Sequence, residues 1–348
     1  MNGSCRRPTP ASELTGLNLK KMEPSFFSHT PPHPRATEPA PSRAAVLVNL
    51  AANSNAAERK WRRIQSDVLN ALPRDTKTLL YRPPFDLAAC IRDLLENEHI
   101  SCFISAGGDG TLNCMLNAVM QIFDNRPHRP YLGAIGLGSR NDYHRPFQKT
   151  RLGIPLRIDL AAAVFSDVGR VQYMTESGEY LRYFITGASM GLKAEADQFF
   201  NLGDPMINVL KPRFVNLAII YTGIRAFVAH HNTEVEIWYD GTHQVTELTN
   251  LSIIKVPEVS LGFEYDLRKG DGHLGFILCH AMTKLDLLKV LHDLSLGRFG
   301  RRPGRMAALV RTASLRARTR IPLATDGEIQ FACSAVFSVV QNRVAFLG

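Results

Sequence analysis

Between residues 43 and 136 the chain repeats one pattern so regularly that few folds can accommodate it. "RAAVLVNL", 43 to 50, is a short aliphatic and β-branched run, the mark of a strand buried on both faces. "AERKWRRIQSDVLNAL" follows and sets Trp61, Ile64, Val68 and Leu72 on one helical face. "TKTLLY" reads as a second strand, and "PFDLAACIRDLLEN" as a second helix with Leu87, Cys90, Ile91, Leu94 and Leu95 inward. "ISCFISA" gives a third strand, and "TLNCMLNAVMQIF" a third helix with Leu112, Met115, Leu116, Val119, Ile122 and Phe123 at helical spacing. "YLGAIGL" closes the series as a fourth strand. Strict alternation of this kind predicts parallel βα units with helices on both faces of the sheet.

The texture changes near residue 155. "GIPLRIDLAAAVF", "GRVQYMT", "EYLRYFITGAS", "AFVAHHNTEVEIWYD", "HQVTELTNLSIIKV" and "HLGFILCHA" read as strands, with turn residues in "SGE", "GTH" and "GDG" between them. Residues 197 to 225 break the pattern and predict two helices around Pro212, and 283 to 297 predict another. The expectation is a mostly antiparallel second domain with inserted helices. Residues 1 to 42, rich in Pro, Ser and Thr and without a period, read as a tail with little fixed structure. The predicted organisation is therefore a tail over 1–42, an α/β domain over 43–155 and a second domain over 156–348.

Composition narrows the function classes. A chain of 348 residues is long for one core and comfortable for two domains. A formal net charge of +9 favours anionic partners: nucleotides, nucleic acid or an acidic membrane surface. The six cysteines show neither a C-x-x-C pair nor zinc spacing with histidine, so reduced thiols and a cytoplasmic compartment are expected. No run of about 18 uncharged apolar residues predicts a transmembrane span. No apolar segment follows Arg6 and Arg7 to make a secretory signal. No recognisable nucleic-acid module occurs either, which argues against nucleic acid as the partner.

The chemistry gathers at "GGDGT", 107 to 111, where the third strand becomes the third helix. Parallel sheets bind ligands at the carboxyl ends of their strands. Glycines there let a ligand approach the backbone, and the first turn of the helix offers N–H groups and a positive dipole end to phosphate. Asp109 alone would repel a phosphate, so a carboxylate at this place points to Mg²⁺ or a ribose contact. The other reading is a glycine turn in which Asp109 caps the helix.

"GGDGTLN", 107 to 113, resembles the nucleotide-binding signature of the diacylglycerol kinase catalytic family, which includes bacterial lipid kinases and sphingosine kinases. "LGAIGLGSRNDYHRPF", 132 to 147, resembles the family's "P-x-G-T-x-N-D-x-A-R" segment. "RID", 157 to 159, resembles its aspartate after the first domain, and "ATDGEI", 324 to 329, its "DGE" motif. The four occur in the family's order and cover roughly residues 43 to 348. The resemblance implies an α/β nucleotide-binding domain with a parallel sheet, followed by a mostly antiparallel β-sandwich domain with inserted helices. ATP and the substrate would meet in the cleft, with the last strands packing back toward the first domain.

The resemblance also implies roles. Gly107, Gly108, Asp109, Gly110 and Thr111 would bind ATP, with Asp109 near the nucleotide Mg²⁺, and Asn49, Asn113, Ser139, Asn141 and Asp142 would complete the nucleotide site. Glu328 would be the general base, presented by Asp326 and Gly327, and Asp159 would be a cleft aspartate. Asp271 of "KGDGHLG" matches a position that holds a structural Mg²⁺ in bacterial members.

The first loop departs from the pattern: "NLAANSN", 49 to 55, keeps Asn49 but neither the proline nor the glycine of "N-P-x-S-G". Lys255 stands in place of a frequent asparagine. Three activities stay open at this stage: a kinase of diacylglycerol, a kinase of another lipid alcohol such as a sphingoid base, and a lipid- or nucleotide-binding protein without useful turnover. Phe199, Phe200, Met206, Ile207, Leu210 and Phe214 are candidates to line or cover a lipid cleft, with ordinary helix packing as the alternative. Eight arginines and no acid in 298 to 320 could hold anionic lipid heads or merely face solvent. The implied partners are a nucleotide and a lipid at the inner membrane face, with a homodimer among the assemblies open to the chain.

Overall fold

The computed structural model describes residues 41–348 apart from 54, 124–125, 140, 203, 211–213, 257, 260–262, 265–271, 296–298 and 300–301. The first part runs β1 (Ala45–Asn49), α1 (Ala57–Asn70), β2 (Lys77–Tyr81), α2 (Leu87–Glu96), β3 (Cys102–Gly107), α3 (Asp109–Phe123) and β4 (Tyr131–Gly136). β1 pairs in parallel with β2 and with β3, and β3 in parallel with β4. β3 and β4 are buried along their whole length, whereas β2 lies at the end of the strand order and is largely exposed. This explains their different composition: a strand covered on both faces has no polar side to show.

Alternation along the strands divides two cores. Val46, Val48, Cys102, Ile104 and Ala106 face one way, onto Trp61, Ile64 and Val68 of α1. Ala45, Leu47, Phe103 and Leu132 face the other, onto Ile91 and Leu94 of α2 and Met115, Leu116 and Val119 of α3. Asp86 starts α2 by accepting the Ala89 N–H at 2.9 Å.

The chain then runs β5 (Thr150–Arg151), β6 (Ile154–Arg157), β7 (Val164–Thr175), β8 (Gly178–Phe184) and β9 (Gly187–Gly191). Three helices follow, α4 (Leu192–Asn201), α5 (Pro205–Leu210) and α6 (Val215–Ala229). The remainder is β10 (Thr233–Tyr239), β11 (Thr242–Ile254), β12 (Glu258–Val259), β13 (Phe263–Glu264), β14 (Leu274–His280), α7 (Lys284–Ser295), β15 (Arg305–Val310), β16 (Ala313–Thr325) and β17 (Glu328–Phe346). Antiparallel pairs dominate here, and Val171, Phe184, Met190, Ile237, Leu251, Phe276, Leu315 and Phe337 fill a third core.

Three expectations change. Residues 158 to 163 of "GIPLRIDLAAAVF" are not strand: Asp159 caps a short 3-10 turn, Leu160–Ala162, between β6 and β7. Residues 197 to 225 fall on three helices rather than two, because the chain breaks after Asn201 as well as after Leu210. Residues 226 to 229 of "AFVAHHNTEVEIWYD" are the last turn of α6 rather than strand, and the strand starts at Thr233. The parallel and antiparallel parts are also one hydrogen-bonded sheet. β17 pairs antiparallel with β16 and β7 along its length, and at its end Ala345 and Phe346 pair in parallel with Tyr131 and Leu132 of β4. One long strand thus connects the turn before Glu328 to the sheet that carries "GGDGT".

Candidate functional site

β3 ends at Gly107 and α3 starts at Asp109, so "GGDGT" spans the carboxyl end of a central strand and the first helical turn. The loop after β4 lies directly against it. Leu137 and Gly138 donate their N–H groups to the Gly107 carbonyl at 2.8 and 3.0 Å. A methyl group on Gly108 would stand 3.2 Å from the Gly138 Cα, so these backbones meet at a distance that leaves little room for side chains.

Asp109 clamps the two loops together. Its Oδ2 accepts the Asp142 N–H and its Oδ1 the Tyr143 N–H, each at 3.1 Å. Asn141 adopts a left-handed conformation (φ 54°) just before this short turn and donates Nδ2 to the Gly136 carbonyl at 3.1 Å. Its Oδ1 is buried without a hydrogen-bond partner. Ser139, half-buried, follows Gly138 on the same loop. Asp142 forms an ion pair with Arg145 at 3.3 Å.

From the first strand, Asn49 reaches the same place. It donates Nδ2 to Thr111 Oγ1 at 3.1 Å and accepts the Ala51 N–H at 3.0 Å, so it joins the first loop to the start of α3. Asn113, fully buried, donates Nδ2 to the Tyr183 carbonyl at 2.9 Å and to Asp326 Oδ2 at 2.8 Å. Asn117, one helical turn on, bonds the Tyr183 backbone through both its carbonyl oxygen and its Nδ2.

Asp326 is the anchor of the opposite wall. Besides Asn113 it accepts the N–H groups of Ile185, Thr186 and Gly187 at 2.8, 2.9 and 3.1 Å and the Thr186 hydroxyl at 2.6 Å. Asp326 and Gly327 both have positive φ, 48° and 89°, the combination required by a tight two-residue hairpin turn. This turn sets Glu328 over the loop. A methyl group on Gly110 would overlap Glu328 Oε1, so the carboxylate lies close against the Gly110 backbone. Asn201, at the end of α4, secures the turn from outside by donating Nδ2 to the Gly327 carbonyl at 2.8 Å.

Four further residues adjoin the site. Lys60 of α1 donates Nζ to the Leu137 and Gly138 carbonyls at 3.1 and 3.0 Å, and burial holds its ammonium below the usual lysine range. Cys114, one turn beyond Gly110 and exposed on α3, feels Glu328: desolvation by the surrounding atoms first and that carboxylate second push its thiol up, against a smaller opposing effect of Arg182. Burial also raises the Tyr81 hydroxyl, at the end of β2, and its ring stacks on Phe85 with centroids 4.7 Å apart. Arg82 ties the first loop to β2 by donating to Asn55 Oδ1 at 2.8 Å and pairing with Glu58 at 3.0 Å. Lys60 carries no signal in sequence, because it sits among other charges in "AERKWRR".

Asp159 is not brought to this cluster. β6 runs antiparallel to β4 with Arg157 opposite Ala134, so Asp159 falls level with Leu132. That is four residues before Gly136, about 13 Å at the usual strand rise. Its carboxylate accepts the Ala161 N–H at 3.0 Å and pairs with Lys149 at 2.8 Å, and the Lys149 hydrogen bond holds it below the ordinary aspartate range. Asp159 is thus a turn cap and surface ion pair at the wrong end of the strand. Asp271 lies outside the described residues.

Among the described residues no group of three or more His, Cys, Asp or Glu side chains forms a metal cage. An ion held by one or two carboxylates together with substrate phosphates needs none, and Asp109 beside the helix start fits that habit of Mg²⁺. The glycine backbones, the first turn of α3 and the buried Asn141 Oδ1 fit a nucleotide.

Residues 43–173 match the family model described as the diacylglycerol kinase catalytic domain. The chain is 26% identical over 235 residues to a diacylglycerol kinase of Staphylococcus carnosus, across 66% of this chain and 71% of the relative. It is 35% identical over 139 residues to a diacylglycerol kinase of Bacillus subtilis, across 40% of this chain and 41% of the relative. In fold it is similar to a diacylglycerol kinase structure from Bacillus anthracis, with a TM-score of 0.58 at 13% identity over 88% of this chain and 96% of that one. A second structure from the same organism gives a TM-score of 0.64 at 15% identity over 88% and 96%.

Proposed function

Through residues 43–173 the chain belongs to the diacylglycerol kinase catalytic family, and on that premise we propose that it transfers the γ-phosphoryl group of ATP to the hydroxyl of diacylglycerol, giving phosphatidic acid. That the chain is a lipid kinase follows from the family; the acceptor, the metal and the residue roles are this reading. One observation carries it: the Glu328 carboxylate lies against Gly110, inside the "GGDGT" loop. A candidate base and a phosphate-binding turn therefore share one small volume, although they are 218 positions apart in the chain, at 110 and 328.

Bound ATP with Mg²⁺ supplies the phosphoryl group and neutralises its developing charge. The residues of the chain do the rest. Gly107 to Thr111 and the start of α3 hold the phosphates, and Asp109, fixed by the Asp142 and Tyr143 N–H groups, keeps the two loops in register. Asn49, Asn113, Ser139, Asn141 and Asp142 shape the rest of the nucleotide site, with Lys60 steadying the loop that carries Ser139. Glu328 Oε1 takes the proton from the lipid hydroxyl as its oxygen joins the γ-phosphorus and the bond from that phosphorus to the bridging oxygen breaks, releasing ADP. Asp326 positions Glu328 and touches no reacting atom. Asp159 has no part in this scheme.

Transfer of labelled phosphate from γ-labelled ATP to diacylglycerol, a sphingoid base and ceramide, with and without Mg²⁺, tests the proposal. Label in phosphatidic acid, dependent on Mg²⁺, is the expected result. Label only in a sphingoid phosphate would replace the acceptor. ATP binding with no transfer to any of the three would refute the kinase scheme.

A further inference from the structure

The helices beside Glu328 carry their side chains the wrong way round for a water-exposed surface. The side of α6 that faces the protein is made of small residues, Ala218, Thr222 and Ala226, all buried. Its large aliphatic residues point outward: Leu217 is 51% exposed, Ile220 56%, Ile224 58% and Val228 68%. At 100° per residue these four fall within one stripe about 80° wide. An ordinary surface helix shows the reverse order. Phe214 at the start of α6 and Met206 and Val209 on α5 are exposed as well. Lys284 joins the end of α6 to α7, donating Nζ to the Phe227 carbonyl and, at 2.7 Å, to that of His230. α7 then adds Leu285, Leu288 and Leu291, each at least half exposed. The outward stripe of α6 is an apolar face of a kind that soluble surfaces seldom leave uncovered, and α5 and α7 expose further aliphatic residues.

We infer that this face docks the protein on an anionic lipid bilayer, with α6 lying along the surface. The inference rests on the lipid-kinase reading for its purpose, but its observations are independent of it. Charge selects the occupant. α5 and α6 contain no acid, and their one formal charge, Arg225, is paired with Asp204. Asp286 and Asp293 of α7 are likewise paired, with Lys289 and with Arg302 and Arg305. Lys211 and Arg213 stand between α5 and α6 in sequence, next to the ends of both helices, and the chain as a whole carries a net charge of +9. An anionic interface suits such a surface. A second copy of a chain with net charge +9 would bring like charges together. No described helix is long and apolar enough to cross a membrane, so these helices would lie in the interface plane. Position gives the docking its use. The Asn201 bond to the Gly327 carbonyl fastens α4, and with it this group of helices, to the turn that presents Glu328.

Flotation of the full chain with vesicles of phosphatidylcholine and of equimolar phosphatidylcholine and phosphatidylglycerol tests the inference. The wild type is expected to float with the anionic vesicles and much less with the neutral ones. Ile220→Asp together with Ile224→Asp should lower the partition coefficient about 10-fold or more, as two half-buried aliphatic side chains imply. Ile220→Leu with Ile224→Leu should keep it, which separates lost docking from lost folding. The aspartate variant should also keep wild-type turnover on a short-chain, water-dispersed diacylglycerol while losing turnover on vesicle-borne substrate. Equal flotation of wild type and aspartate variant would overturn the inference, and so would a dimer in sedimentation that the same substitutions dissociate. If the vesicles are bound as described but no lipid accepts phosphate, the docking stands and the kinase reading falls; transfer from vesicles unaffected by the substitutions has the opposite meaning.

Discussion

Gly110→Ala separates chemistry from stability. The new methyl group would lie within 3.0 Å of Glu328 Oε1, closer than real Cβ atoms approach. Restoring an ordinary contact of 3.4 Å moves the carboxylate by about 1 Å. The cost to the fold is small, because the far end of a flexible side chain gives way rather than a backbone. Gly110 is also inside α3 with helical φ, where alanine is favoured over glycine by about 0.5–1 kcal/mol. A displacement of about 1 Å at a reacting group can cost about 100-fold in rate. The variant should therefore melt at or slightly above the wild-type temperature, bind nucleotide within a few-fold of wild type, and turn over about 100-fold more slowly. Circular dichroism melts, nucleotide titration and steady-state transfer give the three numbers. Wild-type kcat in a folded Gly110→Ala protein would refute the placement of Glu328 in the reaction.

Other perturbations test the supports of the site. Asp326→Ala removes the acceptor of five hydrogen bonds and should cost about 2–4 kcal/mol in denaturant unfolding, with activity lost even where the protein stays folded. Lys60→Met leaves the Leu137 and Gly138 carbonyls without their donor and should raise the KM for ATP about 10-fold with a smaller change in kcat, measured by initial rates. His144 is buried, with its side chain held down to about 4 mainly by burial. The unfolded state binds its proton below about pH 6.5 and the folded state only near 4, so stability falls as pH drops through that window, by about 3 kcal/mol in full. His144→Asn should flatten that part of the stability profile in urea melts at stepped pH.

The parallel strands were legible because burial on both faces leaves an unbroken apolar run, as in "AVLVN" and "CFISA". α6 was less so. Its apolar residues surround the helix, so periodicity gave no inward face and residues 226 to 229 passed for strand. Asp326 looked like a turn residue, and its sequence neighbours gave no hint of the five donors that converge on it from Asn113 and from residues 185 to 187. Asp159 shows the opposite failure. A motif position drew attention to it, while the antiparallel register of β6 carries it away from the carboxyl end of β4. Glu328 and Gly110 could be named from sequence as separate motifs, but their contact depends on β17 bridging the parallel and antiparallel parts of the sheet.

The most direct test of that contact is single-turnover phosphoryl transfer from γ-labelled ATP to diacylglycerol by the wild type and Glu328→Gln. The amide keeps the shape of the side chain and removes its ability to take the proton. A loss of about 100-fold or more in the transfer step, with nucleotide affinity unchanged, is predicted for a general base. Transfer by Glu328→Gln at the wild-type rate would contradict the account.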